Sequence, residues 1–392
     1  MDTSRTLREV LQGRTLSSEE LYFLLSQGDK NQVLDCANEL NLGLHGHRVT
    51  FVHNRNINYT NICINHCGFC AFRRDGDEEG SYFLTVEEIL EEIKKTPTVG
   101  EVCIQGGLSP DLRFSYVVEM LRAIKSQFPH IHIHAFSPME VYYFSQKSGK
   151  SLASTLECLI QNGLDSLPGT AAEVLDDRLR KKICPEKIDT STWVEVIKTA
   201  HRMGLRSTAT VLFGHIETPK QLVDHLVLLR EIQGEKHGFT ELIPLPFVPF
   251  QTPLGRKAGV NGPLPFGRQR YFYALCRIFF HHSIPNLQAS WPKLGFDQAL
   301  ACTFSGVNDL GGTLYQENIT RCAGGIHGEK VTLGDFERRI LDAGKIPQLR
   351  NTLYQFLDRG SLPSSFREEG YVPSGDFTEK GKRGLDNKFH IE

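Results

Sequence analysis

The stretch NYTNICINHCGFCAFRR, residues 58–74, places Cys63, Cys67 and Cys70 within eight positions of one another, among small, polar and aromatic residues. The spacing is C-x3-C-x2-C. Three thiolates are one ligand short of a tetrahedral zinc site or a four-cysteine iron–sulfur site. No second cysteine pair stands at a spacing that would close either. One reading is a zinc loop completed by His66 or a distant residue. The other is an iron centre whose open position takes a small molecule. A chain that merely carries such a centre, as an electron carrier or scaffold, is the non-enzymatic alternative.

Bulk properties narrow the partners. The 392 residues carry a formal net charge of -2, with a pI near 6.7 and no block of like charges. Neither nucleic acid nor an anionic membrane is therefore an expected partner, and small soluble ligands are. The opening MDTSRTLREVLQGRTLSSEELYFLLSQ is amphipathic and acid-bearing, unlike a signal or transit peptide. No run approaches the roughly 18 apolar residues of a membrane span. A cytoplasmic location is expected, where thiols stay reduced and clustered cysteines serve metals or catalysis. Cys36, Cys103, Cys158, Cys184, Cys276, Cys302 and Cys322 read as small buried apolar residues.

Extended apolar runs alternate with helical patterns, the rhythm of repeated β-α units. Strands are predicted near 50–56, 101–105, 131–136, 165–168, 206–213, 239–244, 286–291 and 304–309, which together suggest a closed α/β barrel. Between them, Thr85 with Glu88 forms a capping-box pattern, Thr218 with Pro219 reads as N-cap and first helical residue, and Gly204 ends a helix. The expected organisation is an N-terminal helical extension over 1–45, a barrel over 46–329, a C-terminal helical extension over 330–358 and a loose tail over 359–392.

In such a barrel the loops after the strands build the active site. Gln105-Gly106-Gly107 follows the second strand, and two glycines there let backbone approach a ligand. In IHIHAFSPMEV, alternation sets Ile131 and Ile133 on one face and His132 and His134 on the other, toward the barrel interior. There the histidines line a cavity, are satisfied in the core, or hold a metal. Ser137 and Glu140 follow that strand. PGTAAE (168–173), FGHIET (213–218) and GVNDLGGT (306–313) add Glu173, His215, Glu217, Asn308 and Asp309 as candidates for ligand contacts. Helix caps and structural hydrogen bonds are the competing roles for each.

With Phe69 just before the last cysteine, the 63–70 loop resembles the cluster loop of the radical S-adenosylmethionine (SAM) superfamily. The resemblance implies a TIM-type (βα)8 barrel in which Cys63, Cys67 and Cys70 hold three irons of a 4Fe-4S cluster and SAM chelates the fourth. It puts Phe69, Gly106, Gly107, Ser137, Glu140 and Glu173 in the cofactor site, with the Gly-Gly pair at the SAM amino group. His132, His134, His215, Glu217, Asn308 and Asp309 are left as substrate-side candidates.

NRNINYTNICINHCGFCAF, EVCIQGGLSPD, HIHAFSPMEV, LDSLPGTAAEVL, KKICPEKI, FTELIPLPFV and NDLGGTL carry the resemblance from about residue 45 to 355. They are most similar to the second-subunit family of FO synthase, in deazaflavin (coenzyme F420) biosynthesis. That family implies hydrogen abstraction from L-tyrosine, Cα–Cβ cleavage, and addition of the 4-hydroxybenzyl group to 5-amino-6-(D-ribitylamino)uracil. It also implies the other FO synthase subunit as functional partner, since one cysteine triplet here suggests one half of that enzyme. An electron donor such as flavodoxin or ferredoxin is implied too. Aminofutalosine synthase and cyclic dehypoxanthinyl futalosine synthase, of menaquinone biosynthesis, are the alternatives. They tend to read Pro-Gly-Gly-Gly-Ala-Glu where this chain has PGTAAE, and Asp-Leu-Asp-Gly where it has Asp309-Leu310-Gly311-Gly312. Pro249, His237 and Pro292 depart from the transferase pattern.

Overall fold

In the computed structural model, which describes residues 1–328 and 330–357, the backbone first enters the sheet as β1 (Arg48–Val52) and β2 (Asn54–Asn58), one extended run interrupted at His53. β3 (Glu101–Gln105), β4 (His132–Ala135), β5 (Ser166–Leu167), β6 (Arg206–Phe213) and β7 (Phe239–Pro246) follow side by side from β2, all parallel. β8 (Asp309–Gly312) pairs with β1 in the same sense. Two parallel bridges, Leu242 to Leu287 and Gln288 to Asp309, join β7 to β8 and close the ring. The result is the expected parallel barrel with helices outside.

Local chemistry explains the alternation. In β3, Val102 and Ile104 are buried against the helices, while Cys103 and Gln105 face the interior cavity. Helix Val86–Lys94 starts where Thr85 accepts from the Glu88 N–H at 3.2 Å and the Glu88 carboxylate accepts from the Thr85 N–H at 2.7 Å. Its buried Val86, Ile89 and Ile93 recur at helical spacing. Helix Pro219–Lys236 begins at the Thr218/Gln221 capping box, and Gly204 takes φ +81° after helix Thr190–Arg202. The first 45 residues form helices Thr3–Leu11, Ser18–Gln27 and Lys30–His45, tied to the barrel by Tyr271 Oη, which donates to the Leu24 carbonyl at 2.5 Å.

Three predicted elements differ. The strand at 286–291 shrinks to the bridged residues 287 and 288, because Pro285 cannot donate to a ladder and Pro292 opens helix Trp291–Leu294. The strand at 304–309 begins only at Asp309, because residues 303–308 are used in a turn with Gly306 at φ +106°. The helix over 330–358 is confined to Leu333–Asp342. It stops at Gly344, φ +71°, and Pro347 starts a further strand, β9 (Ile346–Arg350), which pairs with β1 where β3 pairs with β2. The tail predicted over 359–392 lies outside the described residues.

β9 leads into a plug across the N-terminal ends of the strands. Arg350 donates through Nε and Nη2 to the two Asp309 oxygens, at 2.7 and 3.0 Å. Thr352 bonds Glu101 of β3, and Tyr354 bonds Glu241 of β7. Burial pushes the Glu241 carboxyl up to about 7, against the pull of Arg350. Asn308 beside this plug accepts from Arg277 Nη2 and from the Leu287 N–H, each at 2.8 Å. Asn308 and Asp309, read from the sequence as ligand candidates, thus spend their oxygens on the barrel floor.

Removing one partner from a buried ion pair strands the other charge, which costs about 3–5 kcal/mol. Arg350 and Asp309 have side chains 2% and 0% exposed, so Arg350→Ala should destabilise the protein by that amount in denaturant unfolding. A loss of ligand binding at unchanged stability would instead return Asp309 to the ligand.

Candidate functional site

At the opposite end, where the parallel strands finish, the described residues enclose a cavity of about 410 Å³. Cys63, Cys67 and Cys70 line it, together with Phe69, Gly106, Gly107, Ser137, Glu140, Glu173 and His134. The cysteine loop is fastened by its backbone on several sides. Cys63 N–H donates to the Arg74 carbonyl at 3.1 Å, Ile64 N–H to Leu108 at 3.1 Å, and Gly68 N–H to Ile183 at 2.6 Å. Leu254 N–H in turn donates to the Gly68 carbonyl at 2.6 Å.

The two glycines have a more specific job than the sequence indicated. A Cβ at Gly107 would stand 2.2 Å from the Ile62 carbonyl oxygen and 3.0 Å from the Cys63 Cβ, and one at Gly106 would stand 2.5 Å from the Tyr59 ring. They admit the cysteine loop itself. Their N–H groups are occupied: Gly107 donates to the Thr60 carbonyl at 2.8 Å, and Gly106 to Glu140 Oε1 at 3.0 Å. Among the described residues no hydrogen bond reaches either glycine carbonyl, and these oxygens suit a ligand ammonium.

All three loop cysteines are free thiols. Burial pushes the Cys63 and Cys67 thiols up, so without a cation nearby they stay protonated. A bound multi-iron centre reverses that balance, because its positive charge stabilises thiolates. Among the described residues no three His, Cys, Asp or Glu side chains converge as a single metal ion requires. His66, the candidate for completing a zinc site, is exposed and bonds Arg73 Nη2 at 2.8 Å. Three thiols facing one cavity fit a cluster, which spreads its cysteines over separate irons.

Glu140 is a strut. Its Oε1 accepts from Tyr59 Oη and Gly106 N–H, each at 3.0 Å, and its Oε2 from Ser137 N–H and Oγ, each at 2.7 Å. Ser137 and Glu140, read as SAM contacts, thereby cap helix Pro138–Ser148 and brace the Gly-Gly turn. Glu173 accepts from Lys187 Nζ at 2.8 Å, with Arg180 at 3.5 Å, and Lys187 lies over the Phe69 ring at 5.2 Å. Burial opposes the Lys187 ammonium, but Glu173 together with Cys67 and Cys184 outweighs it and the lysine pKa is raised. Phe136, Ala171 and Glu173 all take positive φ, at 65°, 62° and 43°, where β4 and β5 meet the rim. Non-glycine residues in that region cost of order 1–3 kcal/mol each and cluster at functional sites.

The remaining candidates separate. His132 and His134 both bond Ser166 Oγ at 2.7 Å, but only His134 reaches the cavity lining, and burial lowers its pKa to about 4. It is a neutral hydrogen-bonding group. His215 and Glu217 stand outside the lining, where Glu217 accepts from the Gly214 and His215 N–H groups at 2.6 and 2.8 Å. They shape the turn after β6. Sequence reading passed over Lys187, Gln288, Ser290, Lys293 and Glu317, all of which line the cavity. Lys187 sits in the quoted KKICPEKI, yet nothing in spacing links it to Glu173 fourteen residues earlier.

A Cβ at position 107 must displace the Ile62–Cys63 backbone. Gly107→Ala should therefore lower the iron retained after anaerobic reconstitution, while Cys158→Ala, on helix Leu152–Gln161 away from the cavity, should retain the wild-type amount. Full iron content in Gly107→Ala would show that the loop tolerates the shift.

Comparison with known proteins agrees with this geometry. The Radical SAM superfamily model matches residues 57–229, and the CofH/MqnC C-terminal region matches 236–362. A Methanosarcina mazei protein named 5-amino-6-(D-ribitylamino)uracil--L-tyrosine 4-hydroxyphenyl transferase 1 is 45% identical, covering 88% of this chain and 91% of its own. The Methanothermobacter thermautotrophicus protein of the same name, without the final number, is 43% identical over 91% of this chain and 98% of its own. Among solved structures, methylornithine synthase superposes with a TM-score of 0.67 at 20% identity, covering 87% of this chain and 97% of its own. The FeFe-hydrogenase maturase HydG from Carboxydothermus hydrogenoformans gives 0.69 at 17% identity, covering 90% and 80%. Those two likenesses show the fold alone. By the two matched regions and by identity over nearly its whole length, the chain belongs to the radical SAM superfamily and, within it, to the family of the 5-amino-6-(D-ribitylamino)uracil--L-tyrosine 4-hydroxyphenyl transferases.

Proposed function

We propose that this chain is a radical SAM transferase that cleaves L-tyrosine and joins its 4-hydroxybenzyl group to 5-amino-6-(D-ribitylamino)uracil, a step in the biosynthesis of the deazaflavin FO. The observation that carries this reading is one cavity that holds the cysteine triplet, the Gly106-Gly107 turn and a polar inner wall, in a chain 45% identical to a relative of that name. When bound through Cys63, Cys67 and Cys70, a 4Fe-4S cluster and SAM supply the one-electron chemistry that removes a hydrogen atom from substrate.

The chain's own residues bind, orient and shield. The Gly106 and Gly107 carbonyls face a ligand ammonium, and the Glu173–Lys187–Phe69 contact fixes the wall beside the cysteines. Leu212, Phe247 and Val248, all buried, present apolar surface that keeps water from a reactive radical. Gln288 and Ser290 offer amide and hydroxyl groups to a polar second substrate such as the ribityl uracil, while the Thr208 and Thr210 hydroxyls hold the Gly169 backbone at 2.8 Å each. The other FO synthase subunit would consume the product, and a flavodoxin or ferredoxin would supply electrons. Among the described residues no helix is long and apolar enough to cross a membrane.

Under anaerobic, reducing conditions the protein should convert L-tyrosine and 5-amino-6-(D-ribitylamino)uracil to a hydroxybenzyl–uracil adduct with 5'-deoxyadenosine, read by mass spectrometry. The adduct must require both substrates, since deoxyadenosine alone also arises from uncoupled SAM cleavage. Turnover of 3-[(1-carboxyvinyl)oxy]benzoate or dehypoxanthine futalosine, with none of the adduct, would reassign the chain to the menaquinone-pathway relatives.

A further inference from the structure

Two opposite charges line the cavity without pairing with each other or with another charged group among the described residues. Lys293, in the short helix Trp291–Leu294, lines the cavity, and its Nζ has no hydrogen-bond or ion-pair partner among the described residues. Glu317, in the loop that leads from β8 into helix Asn318–Cys322, lines the same cavity. Its carboxylate caps that helix, accepting from the Thr320 N–H at 3.1 and 3.0 Å, and meets no cation at ion-pair distance among the described residues. The two feel each other's charge without forming an ion pair. Burial lowers the Lys293 pKa and raises that of Glu317, and each charge partly opposes the shift of the other.

An ammonium and a carboxylate held apart in a desolvated cavity are each costly, and each is relieved by a ligand group of opposite charge. The ligand that relieves both carries an anion and a cation close together. An α-amino acid has that pattern on a single carbon. The uracil ring and its ribityl chain are neutral and satisfy neither group electrostatically. We propose that Lys293 and Glu317 bind the amino-acid head of the tyrosine substrate, with Lys293 Nζ donating to its carboxylate and Glu317 accepting from its ammonium. This inference rests on the tyrosine-cleaving reading above. It makes the pair the determinant that selects an amino acid over a simple phenol or amine. SAM has an amino-acid head too, but the cysteine loop and the Gly106-Gly107 carbonyls are the groups suited to it.

The test is equilibrium binding to the reconstituted protein with SAM present and reductant omitted, so that nothing turns over. Calorimetric titrations would use L-tyrosine, tyramine, which lacks the carboxylate, and 3-(4-hydroxyphenyl)propanoate, which lacks the amine. A lost charge-assisted hydrogen bond lowers affinity by about tenfold or more. Lys293→Met should weaken L-tyrosine and the propanoate by that factor, and leave tyramine, SAM and iron content unchanged. Glu317→Gln should weaken L-tyrosine and tyramine but not the propanoate, and Lys293→Arg should restore most of the tyrosine affinity. Wild-type L-tyrosine binding that Lys293→Met leaves unchanged, or equal weakening of all three ligands, would overturn the pair's role while leaving the transferase reading intact. A wild-type protein that binds no L-tyrosine would overturn both.

Discussion

A loop bearing three thiols can rest on the rim of this barrel because residue 107 has no side chain. The Ile62 carbonyl oxygen lies 2.2 Å from the place a Cβ would take, and the Cys63 Cβ lies 3.0 Å from it. From that contact the site is built outward. The Gly106 N–H anchors to Glu140, Glu140 anchors to Ser137 and Tyr59, and the helix Pro138–Ser148 starts at the same point. A buried carboxylate accepting four hydrogen bonds leaves little freedom to the turn that carries the glycine carbonyls. Position, more than reactivity of any one side chain, is what the protein contributes.

The two ends of the barrel divide the labour. At the N-terminal end, the end of β9 and the segment after it fill the floor with a buried Arg350–Asp309 pair and with Thr352 and Tyr354 on Glu101 and Glu241. At the C-terminal end, the rim holds strained backbone at Phe136, Ala171 and Glu173 around the cavity. A sealed floor leaves the rim as the way in for ligands, and that arrangement suits chemistry in which water and stray C–H bonds must be kept away.

The legible parts of the sequence were those set by local rules. The cysteine spacing, the capping box at Thr85, the N-cap at Thr218 and the alternation that turns His134 inward all depend on residues close in the chain. What stayed hidden depends on distant partners. The helical reading over 330–358 takes in β9, whose pairing with β1 joins residues about 300 positions apart. Gly344 and Pro347 were the signals that should have ended that helix. Asp309 looked like a strand-end ligand group because Arg350 is 41 residues away in sequence. Lys293 and Glu317 carried no motif at all, and only closure of the ring brings them to one cavity.

The central claim is that Cys63, Cys67 and Cys70 hold a cluster with one iron left open to SAM. Electron paramagnetic resonance of the anaerobically reconstituted and reduced protein, recorded before and after SAM is added, tests it most directly. A SAM-ligated 4Fe-4S cluster predicts about four irons per chain and a spectrum that changes when SAM binds. Stoichiometric zinc with no reconstitutable iron, or a cluster spectrum indifferent to SAM, would contradict it.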